Sequence, residues 1–344
     1  MPTLSICIPT YNRSKCLAEL LDSIIAQEMP DIEVVVSDDA SPDDTAAVAE
    51  SYRGRIAKYT FIHQAENIGL DRNFLAVVEA ATGDYIWLMG DDDRLEPGGA
   101  QRVFDALQRW PGIAGMTVGV IDYDVTMTRP TGIRAMPPTQ MLEGVGTVFS
   151  RMAEVLGFMS ALIVDRRKWK EVAADPSVRN FENYYVQVYI IGCIVRRHGG
   201  WGVLQEPCVG FRSGNDQFKT KFGWFKRLKI DVEAYDQIAD GLFADDPAAH
   251  AAMRRRVFDT HVMARLNNAK TSPGPTPAVL EAALYLYGPY HRMARYWTRA
   301  LPTLLAPSWL IRQARAMYKR FGRSSGAARA RALGDMRVRS DPLA

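Results

Sequence analysis

Four short apolar runs, each followed by a stretch of different periodicity, constrain the first ninety residues more than any other feature. The runs are Leu4-Ser5-Ile6-Cys7-Ile8, Glu33-Val34-Val35-Val36-Ser37, Tyr59-Thr60-Phe61-Ile62 and Asp84-Tyr85-Ile86-Trp87-Leu88-Met89. Parallel strands covered on both faces read as continuous apolar segments rather than as alternating ones. Between the first two, Leu17, Leu20, Leu21, Ile24 and Ile25 recur at helical spacing from about Ser14 to Gln27. Pro42-Asp43-Asp44-Thr45 reads as a helix start, with proline and acids in the first turn. Asn67-Ile68-Gly69 reads as a turn before a helix from about Asp71 to Ala81. This strand–helix alternation predicts right-handed crossovers and an α/β fold, a mostly parallel sheet flanked by helices.

The fourth run stops at Gly90 and then delivers three carboxylates, Asp91, Asp92 and Asp93. Ligands of open α/β sheets gather at the carboxyl ends of the strands. Adjacent acids there repel one another unless solvent or a cation screens them. A hard divalent ion, Mg2+ or Mn2+, takes oxygen ligands and leaves positions open for substrate phosphates. The competing reading is an acidic turn that opens a helix at Pro97, since Asp favours helix N-termini.

The first strand ends in Pro9-Thr10-Tyr11-Asn12-Arg13, where a dinucleotide fold would carry G-x-G-x-x-G. A tyrosine among hydrogen-bonding groups suits a nucleobase better than a pyrophosphate. Alternatively, Thr10, Tyr11 and Asn12 turn the chain and cap the next helix. From Trp110 to about Gly157 prolines and glycines loosen the pattern around a strand at Met116–Tyr123. Such loops often shape ligand choice. Ser160-Ala161-Leu162-Ile163-Val164 is the next strand; a helix through about Val195 and a short strand, Gly202-Val203-Leu204, lead to Arg212.

These landmarks, in order from Leu4 to Asn215, resemble the family 2 glycosyltransferases of GT-A fold. The resemblance rests on Ile8-Pro9-Thr10-Tyr11-Asn12, Val36-Ser37-Asp38-Asp39-Ala40-Ser41, Asn67-Ile68-Gly69 with Arg72-Asn73, and Gly83-Asp84-Tyr85-Ile86 leading to Asp91-Asp92-Asp93. Glu182 and Arg212 follow downstream. It implies a donor-nucleotide site at Pro9, Thr10, Tyr11, Asn12 and Asp39, with Arg72 nearby. The acidic triplet matches the D-x-D motif, opened by Asp91 or Asp92, which would touch donor sugar or ribose, with Asp93 as metal ligand. Glu182 falls at the general-base position, although Asn183 stands where many members have a second acid. Arg212 is a candidate phosphate contact, because a guanidinium forks onto phosphate oxygens. The implied reaction is inverting and metal-dependent: a sugar moves from a nucleotide donor to a hydroxyl of a glycan, lipid-linked in surface polysaccharide synthesis. Gly90-Asp91-Asp92-Asp93 and Phe211-Arg212-Ser213-Gly214-Asn215 look similar to O-antigen and capsule enzymes, including an abequosyltransferase-like group. Two rivals stand beside this reading. A sugar-phosphate nucleotidyltransferase would need a glycine-rich phosphate loop after the first strand, and a non-catalytic nucleotide- or glycan-binding member would fit Asn183.

Charge divides the chain. From Ala251 onward 17 basic residues face 4 acidic ones, a net +13, which leaves −10 for the first 250. The expected organisation is a catalytic domain over 1–218, a helical region over 219–323 and a disordered basic tail over 324–344. Thr271-Ser272-Pro273-Gly274-Pro275-Thr276-Pro277 has the composition of a linker. Arg292, Arg295 and Arg299 fall on one helical face, with Tyr290, Met293, Trp297 and Leu301 towards the other. Aromatic and basic faces of this kind suit a helix lying in an anionic membrane surface; the alternative is a helix packed on the core with its arginines in water. The acidic first domain argues against nucleic acid. No stretch approaches the ~20 apolar residues of a spanning helix, and the N-terminus lacks a signal-peptide pattern. Four scattered cysteines point to a reducing compartment. The expected location is therefore the cytoplasm, at the inner face of the membrane. The five histidines have no ligand spacing and read as structural.

Overall fold

The computed structural model describes residues 2–215, 217–272 and 277–321, with side chains at 217–222 and 318–321 excluded. The linker at 273–276 and the tail from Ser324 lie outside the described residues. The first half alternates as the sequence reads: β1 (Leu4–Thr10), α1 (Ser14–Ile25), β2 (Glu33–Asp38), α2 (Thr45–Ser51), β3 (Lys58–His63), α3 (Leu70–Ala80) and β4 (Tyr85–Leu88). Next come β5 (Arg94–Leu95), α4 (Gly99–Arg109), β6 (Gly115–Tyr123), β7 (Pro130–Ile133), β8 (Gln140–Leu142) and α5 (Val145–Leu156). β9 (Leu162–Asp165), α6 (Arg166–Ala173), α7 (Val186–His198) and β10 (Trp201–Arg212) complete the sheet and its cover. The α-helices α8 (Gln217–Leu242), α9 (Pro247–Val257), α10 (Met263–Thr271), α11 (Val279–Tyr290), α12 (Leu301–Leu305) and α13 (Ser308–Phe321) follow.

The strands form one mixed sheet in the order β3-β2-β1-β4-β9-β6-β10-β5, with β7 on β6 and β8 on β10. Its first four strands are parallel neighbours, as expected. Beyond β4 the sheet mixes directions: β9 runs antiparallel to β4 and β6, while β10 runs parallel to β6. The apolar runs are continuous because both faces are covered. Ile6, Ile8, Val34 and Val36 face Leu17, Leu20 and Leu21 of α1, whereas Cys7, Val35 and Leu88 belong to the core built with Phe74 and Val77 of α3. Burying an aliphatic side chain of this size contributes about 1.5–3 kcal/mol.

The C-terminal helices are not a loose annex. Tyr235, Ile238 and Leu242 of α8 and Met253 of α9 share the core of α5 and α7. A separate cluster gathers Leu228, Phe258, Leu266, Leu286, Tyr290, Tyr296 and Leu304. The two are joined at Asp231, fully buried, which accepts from the Tyr185 hydroxyl at 2.6 Å and pairs with Arg227 and Arg265, each at 2.7 Å. Among the described residues no helix is long and apolar enough to cross a membrane.

Candidate active site

Parallel register puts the ends of three strands at one edge. Thr10 of β1 is level with Asp38 of β2, and Cys7 is level with Leu88 of β4. The chain leaving β4 therefore carries the triplet directly past Thr10, whose hydroxyl donates to Asp91 Oδ2 at 2.8 Å. Thr10 is buried, while Tyr11 beside it is 41% exposed and presents its ring at the edge. Asn12 adopts φ 55°, a left-handed conformation that Asn tolerates, and its N–H donates to Ser41 Oγ at 2.8 Å.

Asp39 is buried, and its carboxylate accepts the backbone N–H groups of Ile68 at 2.7 Å and Gly69 at 3.0 Å. Gly69 sits at φ 88°, which explains the glycine of Asn67-Ile68-Gly69. Asn73, also buried, accepts from the Ser37 hydroxyl at 2.6 Å and donates back to the Ser37 carbonyl at 2.9 Å. The Asp39 side chain thus anchors the loop that closes this edge.

The three acids of the triplet diverge. Asp91 faces Thr10. Asp92 accepts from Arg13 Nη1 and from Asn215 Nδ2, both at 2.9 Å. Asp93, 2% exposed, accepts from the Ser160 hydroxyl at 2.5 Å and from the Arg212 backbone N–H at 3.2 Å. Burial first, then the Asp92 charge, push the Asp91 and Asp93 carboxyls well above the ordinary carboxylate range. Arg13, Ser160 and Asn215 did not stand out in the sequence as partners of the triplet. Only Arg13 carried a signal, as the cation that directly follows Pro9-Thr10-Tyr11-Asn12.

Among the described residues no three His, Cys, Asp or Glu side chains gather into a ready metal cage. The donor set nevertheless fits an ion shared with a substrate. A Cβ built on Gly90 would lie 3.2 Å from Ser160 Oγ, 3.3 Å from Asp93 Oδ2 and 3.7 Å from Asp92 Oδ1, so the glycine lets the chain pass close to one oxygen of each carboxylate. One or two carboxylates plus substrate phosphates is the usual Mg2+ arrangement.

Arg212 departs from the phosphate contact expected of it. Its guanidinium is buried and donates to the Asp92 carbonyl at 2.9 Å, to the Val125 carbonyl at 2.8 Å and to the Glu19 carboxylate. A fork already filled by protein acceptors acts as a tie between loops. Arg72 and Glu182 pair with each other, Arg72 Nε donating to Glu182 Oε2 at 2.9 Å. Both line a hollow of about 670 Å³ with Arg179 and Asp175. Asp71 holds this corner by accepting the Tyr184 N–H at 2.8 Å, and its carboxyl is pushed up to about 6, chiefly by burial. The structure thus joins Arg72 to Glu182 and, separately, Thr10 to the triplet.

Comparison with known proteins agrees with this architecture. Residues 5–162 match the family described as Glycosyl transferase family 2. The chain is 29% identical over 259 residues to Abequosyltransferase RfbV of Salmonella typhimurium, covering 70% of this chain and 75% of that one. A shorter match, 38% identical over 101 residues, is to the GalNAc(5)-diNAcBac-PP-undecaprenol beta-1,3-glucosyltransferase of Campylobacter jejuni, covering 28% of this chain and 32% of that one. The crystal structure of S. aureus TarS 1-349 in complex with UDP-GlcNAc superposes with a TM-score of 0.59 over 92% of both chains at 13% identity, a likeness of fold. Residues 5–162 thus carry a family 2 glycosyltransferase domain, on a sheet of GT-A fold.

Proposed function

We propose that the protein is an inverting, metal-dependent transferase that moves a sugar from a nucleotide donor to a hydroxyl of a lipid-linked glycan in surface polysaccharide synthesis. The observation that carries the reading is the convergence of Thr10, Tyr11 and three acids in different settings on one sheet edge. Pro9, Thr10, Tyr11 and Asn12 hold the donor nucleotide, with Tyr11 offering its ring to the base and Asp39 shaping the loop opposite. Asp91 opens the D-x-D motif on the Thr10 side, and Asp93 with Asp92 would hold the ion beside Gly90. Mg2+ or Mn2+ bound there would neutralise charge on the departing diphosphate. Glu182 takes the proton of the acceptor hydroxyl as the bond to the sugar forms, held in place by Arg72.

The acceptor's lipid linkage draws support from the relative named for a PP-undecaprenol glycan and from the C-terminal surface. Leu280, Leu284, Trp297, Leu305, Trp309 and Met317 are each at least half exposed. Exposed arginines such as Arg292 and Arg312 lie along the same segment. Arg295 and Arg299 instead pair with Asp259, which ties this segment to the body of the protein. A surface of this composition lies in an anionic membrane face, on the cytoplasmic side, where nucleotide sugars are found.

Thermal shift against a panel of UDP-, GDP- and CDP-sugars, with Mn2+ and with EDTA, tests the reading. One base should raise the melting temperature in Mn2+ and lose most of the effect in EDTA, because a ligand of the native state stabilises by mass action. No shift with any nucleotide would end it.

A further inference from the structure

We propose that Asp71 is a positioning residue for the general base: it holds the backbone at Tyr184 in a left-handed turn and so sets where the Glu182 carboxylate stands. The inference rests on the transferase reading and adds a residue to its machinery.

Tyr184 follows Glu182 by two positions and adopts φ 74°. Such a conformation suits glycine and is tolerated by Asn or Asp; for a bulky side chain it is an outlier that the surroundings must impose. Among the described residues six that are not glycine have positive φ, and Tyr184 is the one aromatic residue of the six. What imposes it comes from α3. Asp71 Oδ2 accepts the Tyr184 N–H at 2.8 Å and Oδ1 accepts the Val186 N–H at 3.4 Å, from 113 and 115 positions away in sequence. An acid in the first turn of a helix commonly serves that helix's own N-terminus. This one gives both oxygens to the start of α7.

The rest of the turn is held from both flanks. Arg72, next in α3, donates to Glu182 Oε2 at 2.9 Å. From α8, Gln237 Oε1 accepts from Asn183 Nδ2 at 2.8 Å, and Gln237 Nε2 donates to the Asn180 carbonyl at 2.6 Å. Asn183 Oδ1 accepts the Tyr185 N–H at 3.2 Å. Asn183 thus donates and accepts at once, which an ionised acid at that position could not do. Its amide belongs to the scaffold of the turn and leaves Glu182 as the turn's acid.

The contacts continue to the donor side. α3 opens directly after Gly69, whose N–H donates to Asp39 at 3.0 Å. One helical turn therefore carries the donor loop at one end and the base at the other. A displacement of about 1 Å in such a group is enough to cost ~100-fold in rate.

Release of nucleoside diphosphate in Mn2+ would be followed with the nucleotide sugar that gives the largest thermal shift. Asp71→Ala should lower kcat about tenfold or more and leave the donor KM within about threefold, the signature of a misplaced base rather than of a damaged donor site. Asp71→Asn, which keeps an oxygen for the Tyr184 N–H, should recover most of the loss. Glycine adopts a left-handed turn unaided, so Tyr184→Gly added to Asp71→Ala should raise kcat about threefold or more. The Tyr184 ring is 38% exposed, so its removal empties no core, and single variants there carry the test should Asp71→Ala not fold. Tyr184→Val places a β-branched residue at positive φ, and its kcat should fall about fivefold or more below that of Tyr184→Gly. Wild-type kcat in Asp71→Ala, a loss that the added glycine leaves untouched, or equal kcat in Tyr184→Gly and Tyr184→Val would overturn the proposal. Failure of the transferase reading shows differently, as the absence of any nucleotide shift in the wild type.

Discussion

Arg13 Nη1 lies 2.9 Å from Asp92 Oδ2, and the same arginine reaches the Asn215 carbonyl with Nη2 at 3.0 Å. With side chains only 12% and 20% exposed, this ion pair fastens the end of β10 to the acid triplet. It balances one of three neighbouring carboxylates. Arg13→Met leaves Asp92 without its cation, and the expected cost is about 1–3 kcal/mol in urea unfolding. Asp92→Asn in the same chain should return part of that loss. A strictly additive double variant would mean that the pair contributes nothing.

Gly90→Ala probes the close approach of the chain to Asp92 and Asp93. The added Cβ meets Ser160 Oγ at 3.2 Å and Asp93 Oδ2 at 3.3 Å, contacts that neighbours relieve by shifting a few tenths of an ångström. The melting temperature should stay within a few degrees of wild type, while the Mn2+-dependent part of nucleotide affinity falls about tenfold, or ~1.4 kcal/mol. Isothermal titration with and without Mn2+ checks it. Unchanged metal dependence would move the ion elsewhere.

The sequence disclosed the sheet edge better than the site's wiring, for physical reasons. Strands buried on both faces announce themselves, so β1, β2 and β4 and the acids after them were legible from apolar runs alone. β5, β7 and β8 span two to four residues, too short for any period to show. The partners of the triplet were hidden because they come from far away: Arg13 and Asp92 are 79 residues apart, Asn215 and Asp92 are 123 apart. Arg212 misled for a different reason. Its residue type suits a phosphate, but only the fold reveals that Asp92, Val125 and Glu19 already occupy it. Likewise, nothing in the spacing of residues 217–257 announced that α8 and α9 pack on α5 and α7.

Asp71 gives the protein a measurable pH slope. Its folded carboxyl, at about 6, lies above its unfolded value, so the folded state holds the proton more tightly. Stability contributed by that proton is fully present below about pH 4 and is lost as pH rises through about 6. Asp71→Asn removes the titration and keeps an acceptor for the Tyr184 N–H. Between pH 4.5 and 7 the wild type should lose roughly 1–2 kcal/mol relative to the variant in urea unfolding. Parallel curves would assign Asp71 an ordinary pKa.

Trp297→Ser, Leu305→Ser and Trp309→Ser together test the membrane surface without opening a core, since all three side chains are at least half exposed. The triple variant should melt like wild type and lose flotation with anionic vesicles, which the wild type should keep at low salt. Equal flotation of the two proteins, or none by either, would remove the membrane from the account.

The most direct test of the central claim is release of nucleoside diphosphate from the donor identified by thermal shift, in wild type, Glu182→Gln, Asp93→Asn and the double variant. The account predicts release by the wild type in Mn2+ and a loss of at least a hundredfold in each single variant, about 2.7 kcal/mol of barrier. The double variant should be scarcely worse than either single one, because residues that act as a unit are non-additive. Release that survives in the double variant at the wild-type rate would contradict the assignment of both carboxylates.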